Sequence, residues 1–310
     1  MANSNRRMPT TVPVTDPSDP RLADYAGVKE RQHAQDFGSV GENGEPAGGA
    51  GGAPFGKFYA EGKVVLHHLV RSDYPTLSVL ATPAQVEANT GDLSLLPPSV
   101  PIYTLPHEQM EKVIGFTIHR GLLAIGARRR PLTTAELLTQ ARTRRGPLVI
   151  LEDLSNHDNI GGIFRNAAAL GASGVLLSPR CADPLYRKSL RVSVGLALRI
   201  PWAVAAEWPA EIDAVHQAGF ETLALTPSGD RSLAEFGFAS SGSERALALL
   251  VGAEGPGLTP HTMSLARHKV AIPMSVGVDS LNAATASAVA LYELVRDPRT
   301  KAVPRASDTR

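Results

Sequence analysis

The 310 residues contain one cysteine, Cys181, so no internal disulfide can form. Nine scattered histidines without a second thiol make no zinc pattern, and a reducing, cytoplasmic home without a metal centre is the expectation. Aromatic residues are sparse, at 5%. No apolar run approaches the ~18 residues of a membrane-spanning helix. The amino terminus, with Pro9, Asp16 and Asp19, lacks a signal-peptide core. A soluble protein without a membrane partner is expected. Charge of one sign is also missing: 31 Lys+Arg against 30 Asp+Glu leave a net +1. Bulk charge therefore neither announces nor forbids a polyanionic partner, and its distribution must decide.

What is present reads as globular, with 43% hydrophobic and 20% charged residues. The length allows two domains, each with its own core. Residues 1–56 hold few large apolar side chains, and 41–56 alone contain seven glycines, two prolines and two glutamates. Such a stretch buries too little surface to offset its ordering entropy, so it is expected to be a flexible tail and linker, in which 17–22 can dock as a short arm.

From residue 57 the pattern changes. Helix signals over 58–70, 83–88 and 108–113, with strand signals over 78–81, 100–103 and 121–126, predict a small mixed α/β unit over 57–127. Residues 128–146 follow as a basic connector holding Arg128, Arg129, Arg130, Arg142, Arg144 and Arg145 against one acid, Glu136. Thr133 and Glu136 have the spacing of a capping box for a short helix. Over 147–298 strand and helix signals alternate: strands at 148–151, 174–177, 200–204, 222–225, 247–251 and 270–272, and helices at 160–170, 185–197, 210–217, 261–267 and 281–295. Continuous apolar strands separated by helices predict a doubly wound parallel sheet, with 299–310 as a tail.

Ligands of open α/β sheets bind beyond the carboxyl ends of the strands, which directs attention to three loops. After 148–151, Asn159 is a natural helix N-cap, and Arg165 lies six residues further into the helix. An arginine beside Ile163 and Phe164 either has an anionic or amide partner or snorkels its stem to water. After 247–251, Gly252, Gly255 and Gly257 flank Glu254 and Pro256. The spacing is not that of a dinucleotide or phosphate loop, and a nicotinamide-dependent dehydrogenase is weakened because the first strand lacks the G-x-G-x-x-G turn and an acidic residue some 20 positions on. Glu254 either orients an arginine or a ligand hydroxyl, or is a solvated loop acid. After 270–272, Ser280-Leu281-Asn282 opens a helix of small residues. Asp279 or Ser280 can cap that helix; Asn282, in the first turn, is able to meet a ligand.

Taken in order, Asn159-x5-Arg165-x-Ala167, Gly252-Ala253-Glu254-Gly255, Ile272-Pro273-Met274 and Ser280-Leu281-Asn282 resemble the three motifs of the SpoU (TrmH-type) RNA 2′-O-ribose methyltransferases of the SPOUT superfamily. The stretch from Ala60 to Gly121 is similar to the family's small RNA-binding domain. The resemblance implies a trefoil-knotted carboxy-terminal domain, S-adenosylmethionine as cofactor and a homodimer acting on RNA. It places Gly252, Ile272, Met274 and Leu281 on the cofactor, and Arg165, Asn159, Glu254, Ser280 and Asn282 in the active site. Asn166, where many members have threonine or serine, and Ala283-Ala284, in place of a bulkier pair, depart from the family pattern.

The expected activity is methyl transfer to a ribose 2′-hydroxyl, on ribosomal rather than transfer RNA given the two-domain layout. A non-catalytic RNA-binding or assembly factor on the same fold is the alternative, disfavoured by the presence of Arg165, Glu254 and Asn282. His119, Arg120, Arg128, Arg129, Arg130 and Arg145 are the candidate phosphate contacts, the arginine run otherwise being a solvated helix face.

Overall fold

In the computed structural model, residues 9–28, 55–118, 120–144, 146–235, 246–278 and 280–295 are described. They group into two compact units: Met1–Pro131 with Asn156–Arg165 and Ala182–Arg199, and Leu132–Ser155 with Asn166–Cys181 and Ile200–Arg310.

In the first unit Thr11–Pro13 (β1), Lys57–Glu61 (β2), Thr76–Ala81 (β3), Ile102–Thr104 (β4) and Leu122–Ala127 (β5) form one mixed sheet in the order β1-β4-β3-β5-β2. β4 pairs parallel with β1 and β3, and β5 pairs antiparallel with β3 and β2. Helices Lys63–Leu69 (α1), Pro83–Ala88 (α2), Thr90–Leu93 (α3) and His107–Ile114 (α4) complete the alternation. Leu80, Leu105, Met110, Ile114 and Ile125 are buried in its core.

Two expectations change here. The amino-terminal stretch is not all tail. β1 is the edge strand beside β4, and Leu22, Tyr25 and Val28 join the core. The Tyr25 hydroxyl lies 2.7 Å from Ser78 Oγ, and Lys57 Nζ donates to Asp24 at 2.7 Å. A few widely spaced apolar side chains anchor this arm, and the glycine-rich average over 1–56 hides them. Residues 29–54 lie outside the described residues. Phe58, read as helical, belongs to β2, opposite Gly126 of β5. A Cβ at Gly126 would come within 2.2 Å of the Phe58 ring, so glycine makes room for the aromatic group. Gly62, at φ +85°, turns the chain from β2 into α1, a backbone conformation glycine adopts without strain.

The second unit begins at Leu132, so 128–146 is not a free connector. Thr134–Thr143 (α5) is capped by the reciprocal Thr133–Glu136 box, and Leu137, Leu138 and Ala141 enter the second core. The apolar face of the helix binds it to that unit, leaving Arg142 and Arg144 exposed.

Strands Leu148–Leu151 (β6), Gly174–Leu177 (β7), Trp202–Val204 (β8), Phe220–Leu225 (β9), Arg231–Ser232 (β10), Ala246–Val251 (β11) and His268–Ala271 (β12) form a parallel sheet in the order β10-β12-β9-β11-β6-β7-β8. Only the two-residue β10 was absent from the sequence pattern. Helices His157–Ala169 (α6), Arg187–Val192 (α7), Glu211–Gln217 (α8), Pro260–Leu265 (α9) and Ala283–Val295 (α10) follow the strands. The segment 182–199 groups with the first unit: Arg187 of α7 donates to Glu61 Oε2 at 2.6 Å, its guanidinium 4.1 Å from the Phe116 ring centre.

Candidate active site

The loop after β11 is compact for a backbone reason. A Cβ at Gly252 would lie 2.2 Å from the carbonyl carbon of Gly257 and 2.3 Å from Leu258 N, so only glycine lets the chain fold back on itself. Gly257 N–H donates to Ala253 O at 3.0 Å, and Gly255 and Gly257 take φ of +83° and +71°. Glu254 is carried at the tip of this loop and is exposed.

The third loop meets it through Asn282. Its Oδ1 accepts from the N–H groups of Ala284 at 3.0 Å and Thr285 at 3.2 Å, making Asn282 the cap of α10. Its Nδ2 donates to Glu254 Oε1 at 3.0 Å. The two departures from the family pattern also meet: Asn166 Nδ2 donates to Ala284 O at 2.8 Å, and Ser287 Oγ donates to the same carbonyl at 2.8 Å.

A cavity of about 520 Å³ opens between these loops, lined by Gly252, Glu254, Ile272, Met274, Ser280, Leu281 and Asn282 together with the end of β9. That volume suits a small organic ligand, for which pockets run roughly 300–1,000 Å³. All four sequence-predicted cofactor residues and three of the five polar ones thus share one wall set within the second unit. Leu225, Thr226 and Pro227, which also line it, were missed. A Thr-Pro turn directly after an apolar strand was the available signal.

Asn159 and Arg165 lie on the part of α6 that groups with the first unit. Asn159 is not the N-cap. Asn156 takes that place, accepting from Asp158 N–H at 2.8 Å on its side chain and from Ile160 N–H on its carbonyl, while Asn159 turns inward and is 3% exposed. Arg165 is exposed and, among the described residues, has no hydrogen-bond or ion-pair partner.

The first loop holds a network that the sequence did not suggest. Asp153 takes φ +57°, outside the usual range for a residue with a side chain. Its N–H donates to Ser178 Oγ at 2.9 Å, that hydroxyl donates back to Oδ1 at 2.8 Å, and Arg180 pairs with Oδ2. Burial pushes this carboxyl up, but the Arg180 and Ser178 hydrogen bonds outweigh it and hold it below its ordinary value. Cys181 is buried beside it, with its thiol pushed up by burial.

The candidate phosphate contacts divide. Arg128 forms an ion pair with the buried Asp183, and its Nε donates to Lys57 O at 3.3 Å, so it ties parts of the first unit together. Arg129 reaches Asp73 at 3.1 Å from an exposed position. Arg120 and Arg130 are exposed, and His119 and Arg145 lie outside the described residues.

Residues 146–292 match the model of the SpoU rRNA Methylase family. A Mycobacterium tuberculosis protein named as an uncharacterized tRNA/rRNA methyltransferase is 39% identical over 285 residues, 91% of each chain. In fold, the chain is similar to an AdoMet-bound rRNA methyltransferase from Sinorhizobium meliloti, with a TM-score of 0.70 at 20% identity over 92% of this chain and 97% of that one. An RNA 2′-O ribose methyltransferase gives 0.66 at 21% identity, over 92% and 99%.

Proposed function

Because the chain belongs to the SpoU methylase family, we propose that it is an S-adenosylmethionine-dependent RNA methyltransferase acting on a ribose 2′-hydroxyl, with ribosomal RNA as substrate. One observation carries the reading: residues from separate loops, chosen by their motifs, line a single cavity of about 520 Å³ and are joined by the Asn282–Glu254 hydrogen bond. The cavity fits the cofactor's chemistry. Ile272, Met274 and Leu281 offer apolar surface to an adenine, Glu254, Ser280 and Asn282 offer polar contacts, and Gly252 keeps backbone at the wall.

The cofactor supplies an electrophilic methyl group on a sulfonium, so the chain's task is to hold the acceptor oxygen in line and to stabilise the charge developing on it. Arg165 is assigned that role. A guanidinium is a donor with no acceptor capacity, so Arg165 is not the proton acceptor; it orients the hydroxyl, holds the neighbouring phosphate and stabilises the oxyanion. Proton acceptance then passes to the phosphate or to a water. Glu254 and Asn282 fix the second loop against the third, and Asn159 and Ser280 complete the polar set.

The same reading includes a trefoil-knotted second unit and a cytoplasmic homodimer. Exposed Val276, Val278, Leu281, Val289, Tyr292 and Val295, on the third loop and α10, support a second copy packing there. Arg120, Arg129 and Arg130 are the exposed cations offered to RNA. Transfer RNA is the second reading, since the mycobacterial relative's name covers both substrates. Mapping of ribose and base methylation in total RNA from a deletion strain decides: one ribosomal 2′-O-methyl site should disappear. Loss of a transfer-RNA site selects the second reading, and loss of a base methylation overturns the ribose assignment.

A further inference from the structure

The end of β6 carries a buried carboxylate to which the mechanism above gives no task. Glu152 is 1% exposed, at the carboxyl end of the sheet. Oε1 accepts from Trp208 Nε1 at 2.7 Å, Thr262 Oγ1 at 2.6 Å and Thr259 Oγ1 at 3.0 Å, and Oε2 accepts from Thr259 N–H at 2.8 Å. All four donors are neutral groups. A charge held this way recovers its lost hydration only while every donor stays in place.

The partners sit at the two roots of the second loop. Thr259 directly follows 252–258 and caps α9, its side chain accepting from Thr262 N–H. At the other root, Glu152 N–H donates to Val251 O at 2.9 Å. One residue therefore fixes both the entry and the exit of the loop that supplies Gly252, Ala253, Glu254, Gly255 and Gly257 to the cavity wall. The third anchor, Trp208, follows β8.

We infer that Glu152 is a positioning residue for the cofactor cavity: it touches neither ligand nor reacting atoms, and sets the separation of the loop roots that Glu254 and the glycine backbone depend on. The inference rests on the proposed adenosylmethionine-binding reading. Glutamine is the informative replacement, because its amide accepts hydrogen bonds at one end only and turns an N–H₂ toward donors at the other.

The test is calorimetric titration of the full chain with S-adenosylmethionine, comparing wild type, Glu152→Gln, and Leu138→Ala, a cavity-forming change in the second core away from the pocket. The expected result is an affinity at least tenfold weaker for Glu152→Gln and within twofold of wild type for Leu138→Ala, with both variants losing thermal stability. Glu152→Gln binding within twofold of wild type overturns the inference, as does an equal loss in Leu138→Ala, which would make affinity a mere readout of stability. Absence of binding by wild type itself defeats the cofactor reading instead. If Glu152→Gln does not fold, Trp208→Phe, which removes one donor and keeps an aromatic ring, is read in the same way, with a threefold or greater weakening expected and unchanged affinity overturning the inference.

Discussion

Asn282 joins two loops that are distant in sequence: its Nδ2 donates to Glu254 Oε1 at 3.0 Å while its Oδ1 caps α10 through Ala284 and Thr285. The two ends of one amide thus have separable tasks. Asn282→Asp preserves the capping oxygen but sets a carboxylate against Glu254. Aspartate caps as well as asparagine, so stability should stay within about 1 kcal/mol of wild type. Methyl transfer to RNA should fall at least tenfold, and a rate equal to wild type in a radiolabel assay would remove the bridge from the mechanism.

Arg165 is exposed and has no partner among the described residues, so its guanidinium is available to substrate without an internal bond being broken. Arg165→Ala should lose transfer by roughly 10²–10³-fold, the scale of removing one group that stabilises a developing oxyanion. Cofactor affinity, measured separately, should change less than twofold. Arg165→Lys keeps the charge without the planar fork and should recover only part of the rate. Wild-type turnover by the alanine variant would refute the assignment.

At Gly252 the smallest possible side chain is already too large. The added carbon would meet the Gly257 and Leu258 backbone at 2.2–2.5 Å, and backbone cannot step aside as a flexible side chain can. Gly252→Ala should cost about 1–3 kcal/mol by denaturant unfolding, the range for overpacking. Its cofactor affinity should fall through distortion of the loop rather than through a group entering the cavity. An alanine variant as stable as wild type with unchanged affinity would show that the loop relaxes freely.

The second unit was the more legible in sequence because the strands β6, β7, β8 and β11 of its sheet are continuous apolar runs. 148–151 and 174–177 were bounded as they stand in the structure. The capping box at Thr133 was readable for a similar reason: its chemistry is local. Of the arm at 9–28 only 17–22 was legible, as a segment able to dock; β1 and Tyr25 were not, since they have no periodicity and acquire meaning only against strands some 50 to 100 residues away. Asn159 was misplaced as a cap because Asn156, three residues earlier, offers the same side chain. Glu152 carried a faint signal, an acid directly after an apolar strand, but its donors come from Trp208 and Thr259, which no spacing rule connects to it.

Val194, which follows the Ser193 cap of α7, stands at a place that favours glycine. Its N–H donates to Arg191 O and that of Gly195 to Leu190 O, the paired bonds of a Schellman motif, which puts a β-branched residue at φ +50°. A left-handed conformation costs such a residue roughly 1–2 kcal/mol, and glycine gives back about 0.5–1 through greater freedom of the unfolded chain. Val194→Gly should therefore stabilise the protein by about 0.5–1 kcal/mol in chemical denaturation. A loss of stability would mean that burial of the half-exposed isopropyl group outweighs the strain.

His216 makes the second unit sensitive to mild acid. Burial, reinforced by the nearby Arg267 cation and opposed by Asp213, holds its imidazole below its ordinary value of 6.5. Nε2 lies 2.8 Å from Thr222 Oγ1, a buried hydroxyl that accepts from Arg267 N–H at 3.0 Å and so has its own proton to give to a neutral ring. Well above pH 6.5 the ring is neutral in both folded and unfolded chains and contributes no pH dependence. As pH falls below 6.5 the unfolded chain binds the proton first, so stability declines until the lower folded value is passed. His68, lowered by burial and by the neighbouring His67, Arg199 and Arg71, adds in the same direction. Thermal midpoints should therefore fall as the pH drops below about 6.5, ahead of the carboxylate range near 4. His216→Gln, which keeps a polar group beside Thr222, should flatten that slope, and a profile superimposable on wild type would take His216 out of the account.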